Sequence, residues 1–195
     1  MRRLGTALGV DPMSLYRHVR DKDDLLDGIV DSVIAEVRVR RDPAGWKASL
    51  RATILAARAV ALRHPWVPAL LEARRQPGPA TLAYLDAVLG LLRGSGFSVA
   101  LGHHTLHVLG SRILGFSQDL FADADATPRD PELSVLEARR LAVAFPSLGE
   151  LALAATHSGA LGACDDDHEF AFALDLILDG LEDRLATETR DGGQT

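Results

Sequence analysis

The chain holds one cysteine, Cys164, in 195 residues. A single thiol excludes an internal disulfide framework and any paired-cysteine metal site, so nothing argues for an oxidising compartment and a cytoplasmic location is expected. Aromatic residues are scarce, at 5% of the chain. Ala and Leu abound instead, which favours close-packed helices over the β-branched and aromatic usage of sheets. No apolar stretch approaches the roughly 18 residues of a membrane span without a charge or proline, and the N-terminus lacks the charged-then-apolar layout of a signal peptide. Catalytic signatures are also missing: there is no glycine-rich phosphate loop, no G-x-S-x-G elbow and no suggestive carboxylate pair. Neither an enzyme nor a cofactor is expected.

The net charge of −6 excludes a protein that coats nucleic acid along its whole surface, because phosphate binding needs a basic face. Its distribution is uneven. Residues 1–22 carry Arg2, Arg3, Arg17, Arg20 and Lys22 against Asp11 and Asp21, a local +3 that leaves −9 for the remainder. A small basic head on an acidic body fits a DNA-reading module attached to a domain with another task.

The head reads as a helix-turn-helix. Leu4, Ala7 and Leu8 lie on one side of a short first helix, and Gly9 stands where a helix C-terminus wants a left-handed residue. In "VDPMSLYRHV" Asp11 can cap, Pro12 suits a first helical position, and Leu15 and Val19 recur at i, i+4 toward a core. Met13, Ser14, Arg17 and His18 then face outward, with Tyr16 at the boundary. A linking helix is expected from Asp21, with Leu25, Leu26, Ile29, Val33 and Val37 on its buried face.

Beyond Pro43 and Gly45 a helix runs from Trp46 to Pro65, followed by the short "WVPALLEARR" and the loop "QPGP". The next helix is expected to place Leu82, Leu85, Val88 or Leu89, and Leu92 inside. "SVALGHHTLHVLGSRILGFSQDLF" reads as a long helix in spite of three glycines, a pattern that implies close helix contacts or a cavity wall. "ADADATPRDPE" reads as a loop, Leu133 to Phe145 as an amphipathic helix, and "DDDHEFAFALDLILDGLEDRLA" as the last helix, opened by aspartates that suit its N-terminus. Its stripe of Phe170, Leu174, Leu178, Leu181 and Leu185, flanked by Phe172 and Leu176, exceeds what one core needs. A homodimer contact is expected there and on the "HHTLH" helix. The expected architecture is all-α: residues 1–41 form the helix-turn-helix head and linker, and 42–195 a helical-bundle ligand-binding and dimerisation domain.

The order of a helix-turn-helix, a linking helix and a helical body ending in a long amphipathic helix resembles the TetR family of transcriptional repressors. The likeness is closest at "LGVDPMSLYRHVRDKDDLL". Trp46, the "RHP" of Arg63 to Pro65, Gly96 with Phe97, and "FALDLILDGLEDRL" are similar to the tetracycline-repressor subfamily. The resemblance implies a homodimer whose heads occupy successive major grooves of operator DNA, and a body cavity in which a small-molecule effector alters head spacing. Carried onto this sequence, the DNA-facing positions are Arg2, Arg3, Pro12, Met13, Ser14, Tyr16, Arg17 and His18, with Lys22 gripping phosphate. Their chemistry agrees, since Arg17 can bond guanine O6 and N7, Ser14 and Tyr16 can bond phosphate, and Met13 can touch a thymine methyl. The family's head has three helices. "MRRLGTALGV" matches the second, so the first is expected to be absent, through a start codon assigned downstream or a trimmed chain. The rival reading is accordingly a helical ligand-binding and dimerisation module without DNA binding.

The effector cavity is expected to be bounded by Thr53, Val88, His103, His107 and Arg112, with Glu72 and Arg75 at its mouth, and to suit a hydrophobic or aromatic effector. The tetracycline-sensing members chelate a magnesium-bound drug through a histidine in the segment that here reads "LLEARR", which has none. Asp119 falls near the family's metal-linked carboxylate, but a lone carboxylate holds magnesium weakly. No metal site is expected. His103 and His107 do have the i, i+4 spacing of two-histidine sites. No glutamate completes an HExxH pattern, and contact with an effector or ordinary packing weighs equally for the pair.

Overall fold

A computed structural model describes residues 1–73, 76–115, 139–140, 142–147, 150 and 166–192, and among them there are helices and no strand. Contacts divide the chain into two units, Met1–Ile113 with Leu181–Thr195, and Leu114–Gly180. The first contains α1 (Arg2–Leu8), α2 (Pro12–Leu15), α3 (Lys22–Ile34), α4 (Trp46–Arg63), α5 (Val67–Ala73), α6 (Pro79–Gly94) and most of α7 (Val99–Gly115). The last helix, α8 (Asp166–Gly192), contributes to both.

Local chemistry explains where several helices begin and end. Gly9 closes α1 at φ 68°, a left-handed conformation open to glycine. The Asp11 carboxylate accepts from Met13 N at 2.7 Å and Pro12 opens α2. Asp21 caps α3 in the same manner, accepting from Asp24 N at 2.8 Å, while Pro79 stands in the first turn of α6. The expected second head helix is shorter than its pattern implied. It ends at Leu15, and Tyr16 to His18 continue as a turn in which Arg17 N bonds Ser14 O and His18 N bonds Leu15 O.

The core of the first unit lies between α4, α6 and α7. Leu50, Thr53 and Ile54 of α4, Val88 and Leu92 of α6, Phe97, and Thr105 of α7 are all 2% exposed or less. Phe97 meets Trp46 edge-on, with ring centres 4.8 Å apart, an arrangement that suits aromatic quadrupoles. At Gly102 α7 lies close against α6: a Cβ there would lie 2.7 Å from Leu89 Cδ1. Of the close contacts or cavity wall expected of the α7 glycines, Gly102 shows a close contact, while a Cβ at Gly110 would meet open space. Leu82, expected inside, is 53% exposed. It lies in the first turn of α6, before the stretch carrying Val88, Leu91 and Leu92 into the core.

A second cluster joins the linker helix to the body. Val30 and Val33 of α3 pack with Val60 of α4 and Val67 of α5, joined by Ile34, Val37, Leu70 and Leu71. The buried face of α3 therefore runs through Val30, and Ile29, expected there, is 38% exposed. Two polar contacts reinforce the joint. The Asp31 carboxylate accepts from Ala80 N, at 2.9 and 3.1 Å to its two oxygens, at the start of α6. Glu36 accepts from Arg63 Nη2 at 2.7 Å and lies 3.4 Å from His64 Nε2. Farther along, Arg40 N donates to Thr53 Oγ1 and Asp42 N to Ser49 Oγ, tying the connecting segment to α4.

The C-terminal part of α8 is held to the first unit by Lys47, which donates to Glu182 at 2.6 Å, and by Ser98 Oγ, which donates to Glu188 at 2.8 Å. Within the second unit, α8 buries Phe170, Leu174 and Leu178 at helical spacing. The loop expected at 122–132 lies outside the described residues, as does most of the helix expected from Leu133 to Phe145. Among the described residues no helix is long and apolar enough to cross a membrane.

Candidate functional site

The head is built by the close approach of α1 to the turn that follows it. Gly5 is its one buried residue within positions 1–19, and a Cβ there would meet Val10 O at 2.9 Å and Pro12 Cγ at 3.1 Å. Only glycine lets the two helices meet this closely. The sequence reading missed this position, whose signal was an unexplained glycine inside a short helix.

Around this joint Arg2 and Arg3 of α1, Met13 of α2, Tyr16, Arg17 and His18 of the following turn, and Lys22 at the start of α3 are all exposed. Leu15 and Val19 are half-buried. Pro12 and Ser14 are half-buried too, and the Ser14 hydroxyl donates to Asp11 O at 2.6 Å. Arg20 is committed to the chain itself. Its guanidinium donates to Asp24 Oδ1 at 2.9 Å, which raises the arginine above its ordinary pKa and lowers the Asp24 carboxyl below its own. Arg2, Arg3, Arg17 and Lys22 are the other basic groups of the segment, and all four are exposed.

The positions expected around an effector cavity differ in burial among the described residues. Thr53 is fully buried, donating to Ser49 O and accepting from Arg40 N, and Val88 is a core residue at 2% exposure. Glu72, His103 and His107 are exposed. Arg75, Asp119 and the Arg112 side chain lie outside the described residues. A pocket of about 430 Å³ opens beside the linker, lined by Asp23, Leu26, Asp27 and Val30 of α3, Leu70 and Ala73 of α5, and Gln76. On α6, burial pushes the Tyr84 hydroxyl up to about 12, so it stays protonated at physiological pH.

The histidines of α7 form a ring cluster. His103 and His107 have centres 4.5 Å apart with planes at 67°, and His104 lies 5.7 Å from His103. Among the described residues, no group of three or more His, Cys, Asp or Glu is placed to hold a metal ion.

The profile of the tetracyclin repressor-like C-terminal domain matches residues 41–185. The chain belongs to the TetR family. The HTH-type transcriptional repressor DrrR1 of Streptomyces coeruleorubidus is 31% identical over 191 residues, covering 93% of this chain and 69% of the repressor. Among solved structures, the TetR family protein ActR of Streptomyces coelicolor in complex with actinorhodin is similar at a TM-score of 0.73 and 25% identity, over 95% of this chain and 87% of that one. Its complex with (S)-DNPA is similar at a TM-score of 0.69 and 26% identity, over 92% and 85% of the two chains. The all-helical TetR fold and the helix-turn-helix assignment stand, and the family consists of transcriptional regulators, not enzymes.

Proposed function

We propose that this chain is a cytoplasmic repressor that binds operator DNA as a homodimer and answers to a small organic effector, hydrophobic or aromatic, held in the helical body at 42–195. The observation that carries the DNA part is the exposed basic head. Arg2, Arg3, Met13, Arg17, His18 and Lys22 are all exposed, while Leu15 and Val19 are half-buried, and such a module offers charge for phosphate and a guanidinium for guanine. Family membership supports the effector part, as does the solution of a similar protein with actinorhodin bound. For the dimer, α8 offers Phe172 and Leu176, 57% and 58% exposed, whereas Phe170, Leu174, Leu178 and Leu181 are already covered within the chain. The interface is therefore proposed on the Phe172 and Leu176 flank.

The test is fluorescence anisotropy of the full chain on the DNA upstream of its own gene, against unrelated DNA of equal length, over a salt series. Binding is expected to prefer the upstream DNA and to weaken steeply with salt. Arg17→Ala should cost about 1–3 kcal/mol on the upstream DNA if it makes a bidentate base contact. Lys22→Ala should weaken binding to both DNAs and flatten the salt slope. Equal affinity for the two DNAs would remove the operator reading and favour the ligand-binding module.

A further inference from the structure

Three of the seven histidines fall within five positions of α7. His103 and His107 are one helical turn apart and project from the same face. That face is exposed, while Leu101, Thr105 and Leu109 are buried on the other side of the helix. The two imidazoles are thus not packed in the core. Their ring centres are 4.5 Å apart.

That separation has a specific chemical meaning. Two imidazoles bound side by side to one ion through bonds of about 2.0–2.1 Å bring their ring centres to roughly 4.5–5 Å. The ring centres of the pair already fall in that range. Its backbone is also fixed: Thr105 is fully buried and donates to Leu101 O at 2.8 Å, and Gly102 abuts Leu89. Little ordering of the helix is left for an ion to impose.

We infer that His103 and His107 form a binding site for a divalent first-row transition-metal ion on the exposed face of α7. Imidazole nitrogen selects this class, as it suits Zn²⁺, Cu²⁺ and Ni²⁺, whereas Mg²⁺ and Ca²⁺ take oxygen ligands. No third protein ligand accompanies the pair among the described residues, so water completes the coordination and the ion stays exchangeable. Cu²⁺ binds most tightly, following the general order of divalent affinities. His104 supplies an internal control: it is adjacent in sequence but turned about 100° around the helix. The inference does not depend on the regulator reading.

The experiment is isothermal titration of the full, untagged, metal-free chain with CuCl₂ and with NiCl₂, beside His103→Gln, His107→Gln and His104→Gln. Circular dichroism checks that each variant stays helical. The wild type should take up one ion per chain, with Cu²⁺ held more tightly than Ni²⁺. His103→Gln and His107→Gln should each weaken binding at least tenfold, and His104→Gln by less than twofold. Electron paramagnetic resonance of the Cu²⁺ form should show coordinated nitrogen that is reduced in the first two variants only. No stoichiometric uptake by the wild type, or equal affinities for the wild type and the His103 and His107 variants, would overturn the site. Equal losses in all three variants would overturn the pairing.

Discussion

Residues 2–19 and residues 46–109 are held in shape by different means. In the head the apolar side chains are largely uncovered, with Leu8 59%, Val10 41%, Met13 70% and Tyr16 45% exposed. Order comes from local devices: the left-handed Gly9, the Asp11 cap, the Ser14 hydroxyl on Asp11 O and the close approach at Gly5. In the body Leu50, Ile54, Val88, Leu92 and Phe97 are at most 2% exposed. Caps contribute about 1 kcal/mol each, whereas each buried Leu or Phe contributes roughly 1.5–3 kcal/mol. The difference teaches that the part bearing the DNA-facing groups is set by turn chemistry and belongs at the low end of local stability. The part that positions it is set by packing and carries the global stability.

The largest effect should come from breaking the packed half. Phe97→Ala removes a fully buried ring and its contact with Trp46, and should cost about 3–5 kcal/mol in urea unfolding. A loss below about 1 kcal/mol would show that the body is not the stable partner in the comparison. Gly102→Ala tests the same half more finely. Its new Cβ at 2.7 Å from Leu89 Cδ1 forces that side chain to move, costing about 1–3 kcal/mol, against a gain of up to about 1 kcal/mol in helix propensity. Gly90→Ala in α6 meets open space and should only gain. The expected outcome is a lower urea midpoint for the first variant and a higher one for the second.

In the head, Asp11→Ala deletes the cap on Met13 N and should cost about 1 kcal/mol. The loss should appear as faster amide exchange confined to α1 and α2, with the global unfolding midpoint unchanged. A matching shift of the global midpoint would mean that head and body unfold as one unit. The smallest effect is on acid stability at the linker. Arg63 holds the Glu36 carboxyl below its ordinary value of 4.5, with His64 adding to the effect. A depressed carboxylate contributes stability above the unfolded pKa and loses it as pH falls through the folded one. Glu36→Gln should therefore narrow the stability difference between pH 6 and pH 3, by a small amount because the pair is solvent-exposed. Parallel pH profiles for variant and wild type would remove Glu36 from the joint.

Much of the local structure was legible because its causes are local. Gly9, Asp11, Pro12 and Asp21 act within a few residues of where they stand, and each did what its side chain allows. Long-range choices were not legible. Leu25, Leu26, Ile29, Val30 and Val33 offer overlapping apolar stripes on α3, and the choice of Val30 over Ile29 depends on Val60 and Val67, some thirty residues away. The clamp of Asp31 on the α6 N-terminus, across 49 positions, and the Trp46–Phe97 pair are of the same kind. The α7 spacing of the histidines was plain in the sequence, but the exposure and ring separation that give it meaning were not. The length of α2 was overread because the i, i+4 pair Leu15 and Val19 is equally compatible with a helix closed by a turn.

Hydrogen exchange of the full chain without DNA, followed by mass spectrometry, tests the contrast between head and body most directly. Peptides covering residues 2–19 are predicted to exchange at least a hundredfold faster than those covering 46–63, 79–94 and 99–109, because local devices hold the former and core packing the latter. Equal protection across the two regions would contradict the account.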